Sequence, residues 1–311
     1  MKVLNFGSLN LDYVYGVPHF VQPGETLSAV SQSVNPGGKG LNQSIALARA
    51  GAAVSHAGCV GRGGVALAEL LREEGVDTGC LRPVDELQGN AVIQVIPSGE
   101  NCILLFGGSN RCVTVGQIQD TLQFCEAGDW LLLQNEINLL PEIVEQAAAR
   151  GLQIVLNPSP CNENLQAVDF GKLRWLIVNE VEAEQLCGCA EPEAAWRKLH
   201  GKWPQLSLLV TCGSAGSSAW RVENGETEHA VQAAFPVKAT DTTAAGDTYT
   251  GYFMAALLEN RPLGDCMRRA SMAAAISVTR RGAAPSIPRR EEVEAALKEA
   301  AGKAETAGGI R

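Results

Sequence analysis

The chain has 311 residues, 46% of them hydrophobic and 19% charged, enough apolar material for one large domain or two ordinary ones. A net charge of -9 speaks against a binder of nucleic-acid backbones, which needs a basic face, but leaves room for a small phosphate held by backbone N–H groups. No apolar run approaches the roughly 18 residues of a membrane helix, and Met1 to Phe6 lacks the apolar core of a leader, so a soluble cytoplasmic protein is expected.

In chain order, short apolar runs alternate with longer stretches of helical period. Strands are expected at Val3–Phe6, Ala53–Cys59, Trp130–Gln134, Gln153–Asn157, Leu176–Asn179 and Leu206–Thr211. Helices are expected at Leu41–Ala50, Val65–Glu74, Leu140–Arg150 and Ala183–Leu186, several ending at a glycine (Gly51, Gly75, Gly151) of the kind that closes a helix. Near-continuous apolar strands separated by helices are the pattern of a parallel sheet covered on both faces. Two regions break the rhythm: Asp12–Asn35 and Gly89–Asn110 are β-rich with no helix between them. They read as a small antiparallel element beside the main sheet, either a lid that excludes water or a plain edge hairpin. The last third turns helical at Ala245–Leu258, Leu263–Thr279 and Arg290–Ala301, and the tail Ala307–Arg311 is expected to fray. The ten cysteines are scattered without Cys-x-x-Cys or Cys/His metal spacing, which reads as reduced thiols.

The strongest local signal is Asp241-Thr242-Thr243-Ala244-Ala245-Gly246-Asp247, at the start of a helix. Free N–H groups and the positive end of the helix dipole would meet a phosphate there, and Asp247 could take the proton of an attacking hydroxyl. The same segment also reads as a capping aspartate after a small-residue turn. Pro36-Gly37-Gly38-Lys39-Gly40-Leu41-Asn42-Gln43 is neither a Walker loop nor a dinucleotide fingerprint. Its Asn42 and Gln43 offer paired donors and acceptors suited to a polyol, although glycines before a helix are also common structural features. In Gly7-Ser8-Leu9-Asn10-Leu11-Asp12, Asn10 and Asp12 alternate onto one side of an extended chain, or serve as turn formers. Asn179 and Glu182 can share the first turn of a helix and orient hydrated Mg²⁺, or compensate the dipole. Thr211–Gly216 supplies small residues for a nucleotide, and Thr279–Ser286 is a punctuated loop that could be connector.

Together and in this order these segments resemble the ribokinase (PfkB-type) family of carbohydrate kinases, over nearly the whole chain to about Pro288. The resemblance implies one Rossmann-like α/β domain over 1–311, a three-layer parallel sheet with a small antiparallel β lid at about 12–35 and 89–110. It implies ATP-dependent phosphorylation of a sugar hydroxyl, in the first place D-ribose to D-ribose 5-phosphate. Asp247 would be the base, and the N–H groups of Ala244, Ala245 and Gly246 the anion hole. Asn10, Asp12, Gly38, Asn42 and Glu136 would hold sugar hydroxyls. Asn179, Thr211, Gly213, Gly216 and Gly246 would contact ATP, with Glu182 tied to Mg²⁺. Asp241, Thr243, Ser277, Arg280, Gly282 and Ser286 match a K⁺ site, mostly through carbonyls. A homodimer through the lid is implied as well.

The same chemistry on another sugar, a sugar acid paired with Lys39 or Arg111, or a nucleoside stays open, as does a silent sugar- or nucleotide-binding regulator. A dehydrogenase is disfavoured because no Gly-x-Gly-x-x-Gly follows the first strand. Two positions depart from the family pattern: Gly63 stands where an acidic residue is usual, and Tyr13 stands beside Asp12 where a smaller aliphatic is usual. Tyr13 either faces the site or packs within the lid.

Overall fold

The computed structural model describes residues 2–308. The apolar runs pair side by side as β1 (Val3–Phe6), β4 (Val54–Arg62), β8 (Trp130–Gln134), β9 (Gln153–Asn157), β10 (Trp175–Asn179) and β11 (Ser207–Thr211). They are all parallel, in the order β11-β10-β9-β8-β1-β4. Three strands absent from the sequence reading complete a nine-stranded sheet. Parallel β5 (Asp77–Leu87) adds to one edge, and the antiparallel hairpin β12 (Ser217–Glu223) and β13 (Glu226–Gln232) to the other. β5 was hidden by Pro83 and its charged residues, which suit an edge. The hairpin turns at Asn224-Gly225, both at positive φ, an Asn-Gly signal that the sequence did carry.

The period-2 alternation of each central strand sends its side chains into two separate cores. Leu132 packs with Val3, Val155, Ile177 and Leu209, while Leu131 and Leu133 pack with Leu4, Ile154, Leu156, Val178 and Val210. The first core is closed by α1 (Lys39–Arg49), α2 (Val65–Glu73), α7 (Ala245–Leu258), α8 (Leu263–Ser277) and α9 (Arg290–Gly308). The second is closed by α3 (Val115–Leu122), α4 (Leu140–Ala149), α5 (Glu180–Cys187) and α6 (Pro192–Lys202). The result is the expected three layers. Truncating either Leu132 or Leu133 to Ala would cost about 2–5 kcal/mol, since a fully buried leucine leaves a cavity on one face or the other.

α3 and α6 add to the helices expected from the sequence. α9 continues past Ala301 to Gly308, taking in the start of the expected tail; residues 309–311 lie outside the described residues. No helix among the described residues is long and apolar enough to cross a membrane.

The β-rich regions form a separate four-stranded sheet, β2 (Asn10–Gly16), β3 (Ser31–Gly37), β6 (Asn90–Val95) and β7 (Asn101–Phe106), in the order β3-β2-β6-β7. Both outer pairs are antiparallel, as expected, and the central β2–β6 pair is parallel. β7 is exposed along its length.

Two helices set the position of the chemistry. α1 and α7 cross closely because Gly251 has no side chain: a Cβ there would lie 2.4 Å from Ala46 Cβ and 2.9 Å from Leu47 N. One turn away from this contact, α7 presents Asp247 to the start of α1.

Candidate active site

The site lies where strand C-termini meet the starts of α1, α5 and α7, the usual place for a ligand in an open α/β sheet. Asp247, buried in the first turn of α7, is held on both oxygens by α1. Asn42 Nδ2 donates to Oδ2 at 3.0 Å, and Gln43 Nε2 donates to Oδ1 at 2.8 Å. Gln43, expected to face a polyol with Asn42, is fully buried and turned to Asp247, because its amide is taken up by a carboxylate from the neighbouring helix.

Asn42 keeps its other atom, Oδ1, buried without a protein partner. Asn10 is oriented by Asn110, whose Nδ2 donates to Asn10 Oδ1 at 2.7 Å. Asp12 accepts no hydrogen bond from the described residues, and it presses on Gly37, where a Cβ would lie 2.0 Å from Asp12 Oδ2. Any side chain at position 37 would displace that carboxylate. Glu136, just past β8, accepts from the Lys39 N–H at 2.9 Å and from the Ser8 hydroxyl. Gly38, with φ 91°, links β3 to α1 beside the Asn10 backbone. Asn10, Asp12, Asn42, Glu136 and Asp247 thus converge from four stretches of chain. Burial, then the nearby charges of Glu136 and Asp247, push the Asp12 carboxyl up to about 7.

Tyr13 follows Asp12 on β2, so strand alternation points it to the opposite face of the small sheet, away from the site. Gly63 has φ 89° and sits in open space between β4 and α2, a conformation that an acidic side chain would strain.

Lys39 was only a candidate partner for a sugar acid, and Arg111 instead donates to the Ile137 carbonyl. Burial works against the Lys39 charge, yet Asp247, Glu136 and Glu182 outweigh it and hold the ammonium above its usual range. Lys39 lines a cavity of about 230 Å³ with Asn179, Glu182, Thr211 and the segment Ala244–Asp247.

Asn179 and Glu182 form a reciprocal capping box on α5, with Glu182 N–H to Asn179 Oδ1 at 2.8 Å and Asn179 N–H to Glu182 Oε2 at 3.0 Å. The cap fixes the carboxylate and leaves its other oxygen to the cavity.

Ala244 takes the left-handed conformation, φ 59°, uncommon for a residue with a side chain and a feature that clusters at functional sites. It turns the chain into α7. The Ala245 N–H, expected in the anion hole, leans to the Thr242 carbonyl at 3.2 Å, whereas those of Ala244 and Gly246, on either side of it along the cavity, have no backbone partner among the described residues.

A second cavity, about 500 Å³, shares Thr211, Thr242, Ala245 and Gly246 with the first. Gly213 and Gly216 form one rim, and Phe235, Pro236, Val237, Ala275 and Val278 give it apolar walls. The walls were not foreseen: 234–239 is irregular chain without a motif, and Ala275 and Val278 read as ordinary helix and helix end.

Asp241 ties two loops together. It accepts from the Thr243 N–H and hydroxyl and, at 2.8 Å, from the Gly282 N–H. Burial opposes its charge, but these bonds hold the carboxyl below its usual range. Ser286 is buried and bonds the Ala283 carbonyl. The Ser277 hydroxyl bonds the Ala274 carbonyl, and the Ser277 carbonyl accepts from the Arg280 N–H, so Ser277 is engaged in ending α8. Among the described residues no cluster of three or more His, Cys, Asp or Glu could hold a metal alone.

The donor set fits Mg²⁺ shared between Glu182, phosphate and water, since that ion takes few protein oxygens.

Comparison with known proteins gives consistent matches. The profile of the family described as pfkB family carbohydrate kinase matches residues 1–290. A ribokinase of Haemophilus influenzae is 37% identical over 300 residues, covering 92% of this chain and 95% of its own. The crystal structure of ribokinase from Thermotoga maritima superposes with a TM-score of 0.84 at 36% identity, over 96% of this chain and 99% of that one. The ribokinase of Arabidopsis thaliana, solved as a complex with ribose and ATP, superposes with a TM-score of 0.82 at 27% identity, over 96% and 98% of the two chains.

Proposed function

This chain belongs to the pfkB family of carbohydrate kinases, and on that premise we propose that it transfers the γ-phosphoryl group of ATP to O5 of D-ribose. The observation that carries the reading is Asp247, held on both oxygens between a polar pocket of carboxylates and amides and a cavity that starts at a helix N-terminus. Asn10, Asp12, Asn42 and Glu136 bind the hydroxyls of the sugar. Asp247 takes the proton of O5–H as O5 bonds to the γ-phosphorus and the bond to the bridging β–γ oxygen breaks, releasing ADP. Developing charge on the transferred group meets the first-turn N–H groups of α7 and the Lys39 ammonium. The apolar walls near Phe235 and Val278 take the adenine, with Asn179, Thr211, Gly213 and Gly216 along the phosphates and ribose.

Glu182 would share Mg²⁺ with the phosphates, the ion supplying charge neutralisation. K⁺ would sit between the Asp241–Thr243 and Arg280–Ser286 loops and stiffen the turn into α7. The small sheet, acting as a lid within a single 1–311 unit, would pair with a second copy through Ile103, Leu104, Leu105 and Phe106, all about half exposed or more. Its cysteines, all free among the described residues, suit the reducing cytoplasm.

The test is ADP release over a panel of pentoses, hexoses, deoxy sugars, sugar acids and nucleosides, with the site of phosphorylation read by NMR. D-Ribose is expected to give the highest kcat/KM and a 5-phosphate. A better non-ribose substrate would correct the sugar, and no turnover on any would overturn the reading.

A further inference from the structure

Resting on that kinase reading, we propose that Gln43 is a positioning residue for phosphoryl transfer, fixing the plane of the Asp247 carboxylate through a relay of buried amides that ends on His56. A carboxylate with one donor can still turn about its terminal torsion, whereas a donor on each oxygen fixes its plane. Asn42 supplies one donor and has an unpartnered Oδ1 left over for the substrate. Gln43 supplies the other from a wholly buried position. Its amide nitrogen also reaches Asn157 Oδ1 at 3.1 Å.

Every orientation behind it follows from the charge at one end. Asp247 ionised can only accept, so Gln43 turns its nitrogen forward and its Oε1 backward, where Gln134 Nε2 donates at 2.7 Å. The same Gln134 nitrogen donates to Asn5 Oδ1 at 3.0 Å, which turns Asn5 Nδ2 to Ser44 Oγ and the Gly40 carbonyl, both at 2.8 Å. Ser44, having accepted from Asn5, has its proton for His56 Nδ1 at 2.8 Å. Burial pushes His56 down to about 4, so at neutral pH its ring is uncharged and able to accept.

Flipping any one amide would set acceptor against acceptor in a site without water access. The relay crosses β1, β4, β8, α1 and α7, so it sets the base by the position of the main sheet itself. An apolar side chain at 43 would fill the same volume and leave Asp247 with one donor.

The test compares wild type with Gln43→Met and Gln134→Met, both unbranched and close in volume, in single-turnover transfer from ATP to D-ribose, with steady-state KM values and Tm. Gln43→Met is expected to slow transfer about 30- to 100-fold, the cost of a misaimed reacting group, with both KM values within about threefold of wild type. Gln134→Met leaves the contact in place but frees Gln43 to turn, and should slow transfer about 3- to 10-fold, again without a KM change. A purely structural role would lower Tm and leave the transfer rate of folded protein untouched, which overturns the proposal. So does a rise in sugar KM at unchanged kcat, which would make Gln43 a substrate ligand. If Gln43→Met does not fold, Gln134→Met decides by the same two readouts. A wild type inactive on every sugar would overturn the kinase reading and this inference with it, whereas active wild type beside unimpaired variants overturns the inference alone.

Discussion

The two halves of the site are built on different principles. The sugar half gathers Asp12, Glu136, Asn10, Asn42 and Asp247, polar groups fixed by side-chain bonds or by close packing against glycine. The nucleotide half is apolar wall plus helix N-terminus, and its loops are fastened chiefly by the single carboxylate of Asp241. On the proposed function the first half would select by leaving polar groups unpaired when the wrong hydroxyl pattern arrives, a penalty that discriminates strongly. The second holds by surface and dipole, which binds well and discriminates less. Substitutions in the sugar half or at the first turn of α7 should therefore act on sugar binding or on transfer itself, and those in the apolar walls on how much ATP is needed.

Apart from removal of the base itself, the largest expected effect comes from the contact that joins the halves. Gly251→Leu would force α7 off α1, costing about 1–3 kcal/mol of stability from overpacking. Turnover should fall about 100-fold as Asp247 leaves Asn42 and Gln43; thermal melts and steady-state rates on one preparation check both.

Gly246→Ala separates phosphate approach from folding. A Cβ at 246 meets no protein atom within 4 Å, so stability should hold or rise by up to about 1 kcal/mol from helix propensity. The methyl projects at the phosphate cavity, however, and kcat should fall about 10- to 100-fold. Unchanged kcat would remove the first turn of α7 from the chemistry.

Asp12 supplies the pH test. Its folded pKa, about 7, lies above the ordinary 3.8, so the sugar-free protein holds a proton there that the ionised, hydroxyl-accepting form must release. Sugar binding then weakens as pH falls, and KM should rise about tenfold from pH 8 to pH 6. Asp12→Asn should bind more weakly and lose that dependence.

Phe235→Ala, on the nucleotide side, should raise the KM for ATP about fivefold with kcat nearly unchanged. A large kcat effect there would break the contrast between the halves.

Much of the scaffold was legible because burial on both faces writes a strand as an unbroken apolar run, as in Trp130–Gln134 and Gln153–Asn157. The edge strands β5 and β13 face water and carry charge, so their runs are broken, and the interior strand β12 is interrupted by Ser217, Ser218 and Arg221. Asp247 and Asn42 were legible as motif residues. The role of Gln43 was not, because it depends on an α1–α7 contact between residues 204 apart in sequence. The apolar walls at Phe235–Val237 were equally hidden, since only the fold brings irregular chain against the end of α8.

The most direct measurement is ribose-dependent ADP release by wild type and Asp247→Asn, with ATP binding followed by calorimetry. The wild type is expected to turn over and the variant to lose about 10³-fold or more, with ATP affinity within about threefold. A variant that turns over at the wild-type rate would contradict the assignment of Asp247 as the base.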